Sequence, residues 1–383
     1  MRLVTLVIVM ALTALTAAAQ PADLKIDSRL PDGKALQEIG STEDAAQQAA
    51  LIEEFLKQYP DHDGAEWVLT LLAPAYAKLN QPGKSLAACE MLVEKETRNS
   101  AAVHGCLKTA EAQKDPDLIQ KWAVETHAAA KRAVEAPKPE FEFEEDEETW
   151  NQNIDFAKQV GSYAEWSIYN TVLTTPDPAK KASLFAALKE VNPESEYLSQ
   201  MVPVVFMAYL QAGQTEPAVA MAEEAVAAGQ ASDDMIIVVA DHYTRQKDYA
   251  KATEYAEKVI AYYDGAAPAE GVSPEEFEQK KKTSLGKAHF MIGSAQSAQG
   301  QYKNADATLR KGLPFFQGDD ALLPAALFHL GVANYQLGNA TGNEKRILAA
   351  FEYTTKCANM KSPYQAQAKK NLSAIQSQYR IRK

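Results

Sequence analysis

The 383-residue chain has only three cysteines, too few for a disulfide framework, and an odd count leaves at least one thiol free. It lacks a positive excess: 39 lysines and arginines stand against 51 aspartates and glutamates, a formal net charge of −12. A field of that sign repels a nucleic-acid backbone and an anionic membrane surface, so neither is an expected partner. Alternating β-branched stretches are nearly absent, which argues against a sheet protein. H-E-x-x-H, C-x-x-C, the P-loop and G-x-S-x-G do not occur, and none of the six histidines has another at i+3 or i+4. No residues are therefore assigned to catalysis, to a metal or to a cofactor, and the chain is not expected to be an enzyme.

Long apolar runs are lacking too, and the one near-exception sits at the start. MRLVTLVIVMALTALTAAAQ has a positive charge at Arg2, an apolar run from Leu3 to Leu15 and small residues at Ala17 and Ala19, the pattern of a secretory signal cleaved after Ala19. The run falls short of the roughly 20 residues that span a bilayer as a helix. No cysteine precedes Cys89, so anchoring through a lipidated N-terminal cysteine is not expected. The mature chain reads as exported, periplasmic or extracellular, with no membrane span. Met201–Leu210, interrupted by Pro203, reads as a buried helix. The basic tip YRIRK, with Lys369 and Lys370 upstream, reads as a solvated helix end.

What is present is alanine at a fixed period. Tyr209 and Tyr243 are 34 residues apart, as are Ala218 and Ala252, Ala222 and Ala256, and Ala225 and Val259, without a gap. In each copy the tyrosine lies on a first helix and the other three on a second, at i, i+4 and i+7. Small residues on that face let two helices approach closely, and the tyrosine fills the space beside them. DYAKATEYAEKVI (248–260, with Tyr249, Ala252 and Val259), QYKNADATLRKGL (301–313, with Tyr302 and Ala305, preceded by Ile292 and Gly293) and FHLGVANYQLG (328–338, with Leu330 and Gly331) carry the same design.

These segments resemble the tetratricopeptide repeat, although the usual first-helix tryptophan is missing from most copies. The resemblance implies an all-α, right-handed α-solenoid of about nine stacked helix-turn-helix hairpins, of an exported bacterial type, whose first helices line a groove for a peptide or protein partner. The N-terminal half follows suit: Trp67–Leu79 reads as a first helix with Tyr76 in the tyrosine position, and Ser85–Lys95 as its second. Asp44, Pro60, Ala75, Tyr76 and Ala87 recur 133 residues later as Asp177, Pro193, Ala208, Tyr209 and Ala220. Two proline-containing acidic stretches interrupt the pattern. The expected organisation is a signal peptide (1–19), N-terminal repeats (20–135), an acidic linker (136–150), a second module (151–263), a loop insertion (264–280) and C-terminal repeats (281–383). Each interruption reads as a loop followed by the capped start of a long helix, Ser273, Pro274, Glu275 and Glu276 suiting an N-cap and first turn.

Groove positions transferred from the resembled family fall on Trp67, Thr70, His104, Lys108, Gln200, Met207, Asp241, Arg245, Lys287, Phe290, Phe328 and Tyr335. This mixed set lacks the cationic clamp that captures a peptide C-terminus in some relatives, and its aromatics are the expected anchors. Cys89 and Cys106 lie 17 residues apart, half a repeat, on adjacent stacked helices; they form a disulfide or serve as two small core residues. Asp61, His62 and Asp63, directly after Pro60, read as a solvated turn, since three adjacent side chains cannot converge on one ion. The run from Glu140 to Glu148 lacks the glycine and the alternating Asp and Asn of a calcium loop and reads as a solvated linker. The function expected is a non-catalytic scaffold of the cell envelope holding a peptide or protein. The alternative is a small-ligand or saccharide receptor closed by the two interrupting loops.

Overall fold

The computed structural model describes residues 24–380 apart from Lys25, Glu142 and Glu270, so the signal-peptide reading lies outside the described residues. Among those residues there are 17 helices and no strand, one helix short of nine pairs. The first eight are α1 (Pro31–Ser41), α2 (Ala45–Gln58), α3 (Ala65–Lys78), α4 (Pro82–Val93), α5 (Ser100–Gln113), α6 (Pro116–Val134), α7 (Glu144–Thr174) and α8 (Pro178–Val191). Then follow α9 (Glu196–Gln211), α10 (Thr215–Ala227), α11 (Asp233–Gln246), α12 (Tyr249–Tyr262), α13 (Pro274–Ala298), α14 (Tyr302–Phe316), α15 (Leu322–Thr341), α16 (Glu344–Ala358) and α17 (Gln365–Tyr379). None of the described helices is long and apolar enough to cross a membrane.

Local sequence explains where the helices start and stop. Asp44, Asp115 and Asp177 each accept a backbone N–H of the first turn, and Pro116 and Pro178 pre-set the helical φ. Ser273 and Glu276 cap α13 reciprocally, as their spacing predicts. The turn between the two helices of a hairpin reverses through a left-handed residue, Lys114 (φ 56°) after α5 and Lys247 (φ 61°) after α11. In the latter, Asp248 N–H bonds back to Tyr243 C=O at 3.0 Å and so closes the helix end.

The chain divides into two compact units, the first ending at Ala208 and the second beginning at Tyr209. The division lies within α9 and at neither acidic interruption. In the first unit α1/α2, α3/α4, α5/α6 and α7/α8 form hairpins, and α3, α5 and α7 also pack in succession. In the second, α11/α12, α13/α14 and α15/α16 form hairpins, and α11, α13, α15 and α17 pack in succession. The expected small-residue faces are buried: Ala218, Ala222, Ala252, Ala256 and Ala305 are fully enclosed. The recurrent tyrosines do more than fill space. Tyr243 donates its hydroxyl to Glu223 on the preceding helix at 2.7 Å, and Tyr76 does the same to Glu53.

The stretch 136–150 is only partly a linker. α7 begins at Glu144, and Glu144, Glu145, Asp146 and Glu147 occupy its first turn, where carboxylates offset the helix dipole. Cys89 on α4 and Cys106 on α5 are joined by a disulfide across Cα atoms 6.0 Å apart, tying two neighbouring hairpins together. Replacing both cysteines by alanine is expected to destabilise the first unit by about 3 kcal/mol, the closure entropy of such a loop. Urea unfolding followed by tryptophan emission measures this, because Trp67, Trp122, Trp150 and Trp166, the only tryptophans, all lie in that unit; an unchanged midpoint would refute it. Cys357 is buried, donates to Pro324 C=O at 3.3 Å, and has its thiol pushed up to about 11 by burial.

Candidate partner-binding faces

In the second unit the successive first helices bring aromatic rings together. Phe290 on α13, Phe328 and His329 on α15, and Tyr364 just before α17 form one partly exposed cluster. Ring centroids are 6.0 Å apart for Phe290 and His329, 5.1 Å for Phe328 and Tyr364, and 5.6 Å for Phe328 and His329. His329 Nδ1 lies 3.2 Å from Ser297 Oγ, and burial lowers the imidazole's pKa below 6.5, so the ring is neutral at pH 7 and behaves as part of the apolar surface. On α13 the positions Lys280, Thr283, Lys287, Phe290 and Ser294 follow at steps of three and four, one stripe of the helix.

The upper part of that stripe borders an open cleft of ≈ 490 Å³, lined by Lys280, Thr283 and Lys287 together with Asp234, Glu275 and Glu276. Beneath it is a closed polar network. Asp233, 1% exposed, accepts hydrogen bonds from Tyr263 at 2.5 Å and Ser284 at 2.7 Å and pairs with Lys280 at 2.7 Å; Lys280 also reaches Asp234 at 3.0 Å. Burial pushes the Asp233 carboxyl up, yet the bonds from Lys280, Tyr263 and Ser284 outweigh it and hold it below 3.8. The network fastens the start of α13 to α11 and the end of α12. Lys287 differs: it is partly exposed and has no ion-pair partner among the described residues. A second cleft, ≈ 570 Å³, lies at the α12/α13 junction, and its Ile260, Tyr263 and Leu285 belong to the core there.

Tyr335, further along α15, donates to Gln378 at 2.7 Å. Asp241 and Arg245 pair with each other at 2.7 Å along α11 with side chains 43% and 80% exposed, a solvated intrahelical pair.

In the first unit the corresponding face is more polar. His104 and Lys108 on α5 meet Tyr163 on α7: the His104 ring stands edge-on to Tyr163 at 5.0 Å, and Lys108 Nζ lies 3.9 Å from its centroid. Tyr163 and Ser167 donate to Glu111 at 2.9 and 2.7 Å. Burial, reinforced by the Lys108 charge, lowers the His104 pKa below 6.5. Trp166 packs 5.3 Å from Tyr163 and is 40% exposed. Gln200 and Met207 are exposed on α9.

Two of the transferred groove positions are corrected. Trp67 and Thr70 are core residues, 7% and 9% exposed: α1 packs on the Trp67 ring, where a Cβ on Gly40 would stand 3.0 Å away, and Thr70 bonds back to Trp67 C=O at 2.7 Å. The transfer also steps from Lys108 to Gln200 and so misses α7, whose Tyr163, Trp166, Asn170 and Leu173 follow at helical spacing with Trp166 and Leu173 exposed. That stripe was available in the sequence but stood behind the acidic interruption. His329 and Tyr364 were missed for a different reason, since only the packing of α13, α15 and α17 brings them to Phe290. His62 is a structural lock, its ring 3.1 Å from Asp32 and accepting Gly64 N–H at 2.8 Å. Among the described residues no group of three or more His, Cys, Asp or Glu side chains is arranged to hold a metal ion.

Residues 286–313, from the middle of α13 to near the end of α14, match a family profile described as "Tetratricopeptide repeat". This hairpin is thus similar to a tetratricopeptide repeat. It carries Lys287 and Phe290 on its first helix, and the neighbouring hairpins α11/α12 and α15/α16 share its design. Two solved structures align with the chain. One is the tetratricopeptide domain of P58(IPK), 13% identical over 92% of this chain and 100% of that one, with a TM-score of 0.28. The other is a chain of the APC/C hetero-tetramer Cut9-Hcn1, 13% identical over 91% of this chain and 75% of that one, with a TM-score of 0.31. At such scores neither bears on function. No curated protein matches the sequence.

Proposed function

We propose that this protein is an exported, non-catalytic scaffold of the cell envelope that holds a peptide or protein partner against its first helices. The observation that carries the reading is the cluster of Phe290, Phe328, His329 and Tyr364, contributed by three successive first-helix positions and left partly exposed. Rings in a half-buried row offer large contact area with few rotamers to freeze, which is what anchors of an interface require. The polar clusters support holding over reacting, since the carboxylates of Asp233 and Glu111 are each engaged by neighbouring donors. The signal-like start supports export, and the Cys89–Cys106 disulfide fits an oxidising compartment.

The test is capture from envelope extract with the mature chain as bait, beside a Phe290→Ala, Phe328→Ala variant shown by circular dichroism to be folded. The expected result is a discrete protein partner whose recovery falls about tenfold or more with the variant, the effect of removing one or two anchor residues. Equal recovery by both baits, or no partner at all, would count against the reading.

A further inference from the structure

Among the described residues the most exposed large apolar side chain is Phe143, at 63%. It is the N-cap of α7 and is flanked by the exposed carboxylates of Glu140, Glu144, Glu145 and Asp146, none of them paired among the described residues. The nearby lysine Lys138 is already occupied by Glu147 and lies over the Phe141 and Trp150 rings. A projecting aromatic ring in an acidic setting is therefore presented by the first unit with nothing covering it.

The second unit presents the complement. Phe290, Phe328, His329 and Tyr364 make a partly exposed aromatic surface, and one turn before Phe290 on the same stripe stands the unpaired Lys287. The acids that share its cleft do not neutralise it. Asp234 pairs with Lys280, the Glu276 carboxylate accepts from Ser273 N–H and Oγ–H at 3.2 and 3.0 Å, and Glu275 sits twelve residues, about 18 Å, up the helix. In a chain of net charge −12, a free lysine beside an aromatic floor is the kind of place where an acidic segment gains rather than loses on approach.

We propose that the occupant is a second copy of this chain, Phe143 of one molecule seated among Phe290, Phe328 and Tyr364 of the next, with the carboxylates of Glu144, Glu145 and Asp146 toward Lys287. The contact is heterologous, because different surfaces meet. This inference rests on reading the aromatic face as a binding surface, but fails separately from it: capture of another protein through Phe290 and Phe328 by a chain that stays monomeric would preserve the function and end the self-contact.

Two measurements on the mature protein decide it. Sedimentation velocity up to about 100 µM should show concentration-dependent association that weakens as salt is raised and is lost in Phe143→Ser and in Lys287→Glu. Phe143 is exposed and Lys287 unpaired, so both variants are expected to fold, and circular dichroism checks this. Fluorescence anisotropy of a labelled peptide spanning residues 136–150 should report binding that falls at least about tenfold with Lys287→Glu or with serine at the Phe143 position. A protein monomeric throughout that range overturns the proposal. If the peptide binds without self-association of the protein, the face takes an acidic aromatic segment from elsewhere, and the second-copy contact is again overturned. Association unaffected by both substitutions also overturns it.

Discussion

Replacing Asp306 by alanine is expected to destabilise the second unit by about 3 kcal/mol, because the carboxylate is the hub of a buried network joining three helices. Asp306 on α14 is 4% exposed; it pairs with Arg310 at 2.7 Å and with Arg346 on α16, and accepts Asn334 Nδ2 on α15 at 2.6 Å. Asn334 is fully enclosed, so its loss of that acceptor leaves a buried donor short of a partner, whereas the Arg310 and Arg346 side chains are 42% and 35% exposed and recover water. That partial recovery keeps the effect near the low end for a broken buried pair. Acid provides the second reading. Burial pushes the carboxyl up, but the bonds from Arg346, Asn334 and Arg310 prevail and hold it below its ordinary 3.8. A depressed folded value contributes stability that is fully present above the unfolded value and disappears as pH falls through the folded one. The deficit of the alanine variant should therefore be complete at pH 7 and close progressively below 3.8. Far-UV circular dichroism in urea is the probe, since the second unit has no tryptophan; a deficit independent of pH would assign the effect to packing alone.

Gly338→Leu should destabilise the same unit by about 3 kcal/mol, for a steric reason. Gly338 on α15 faces α16 so closely that even a Cβ would lie 2.6 Å from Ile347 Cδ1 and 3.0 Å from the Ile347 backbone nitrogen. The clash with a side-chain end can be relieved by a rotamer change, but the one with backbone needs the helices to separate. Gly331 meets Thr354 in the same way about two turns away, its Cβ site 2.5 Å from Thr354 Oγ1, so separation at one place is resisted at the other. Gly105 on α5 is the control: a Cβ there meets nothing within 4 Å, and Gly105→Ala should raise stability by up to about 1 kcal/mol through helix propensity. The paired thermal melts distinguish close approach from a general intolerance of glycine replacement; a loss at Gly105 equal to that at Gly338 would refute the packing argument.

Much of the hairpin design was legible because its causes are local. The 34-residue recurrence of Tyr209 and Tyr243 with Ala218 and Ala252 reflects a helix pair repeated without insertion, and the Ser273–Glu276 cap is written in four consecutive residues. The candidate faces were legible in part. Lys287, Phe290 and Phe328 follow from repeat register, and packing then adds His329 and Tyr364. Trp67 misled because a tryptophan at a groove position looks the same in sequence whether or not an N-terminal helix such as α1 covers it. The networks around Asp233 and Asp306 carried no signal at all. Their members are up to 51 residues apart, and a lone aspartate at a helix start is ordinarily only a dipole-compensating residue.

The disulfide has a consequence for how the first unit comes apart. Helical hairpins stacked in a row lean chiefly on their immediate neighbours, so such a row frays from an end and melts inward one hairpin at a time. The Cys89–Cys106 bond rivets α3/α4 to α5/α6. Fraying that enters from α1 therefore meets a double-length block that releases as one step under oxidising conditions and as two after reduction, giving the row a latch against end-on unravelling just where the face around His104 and Lys108 begins.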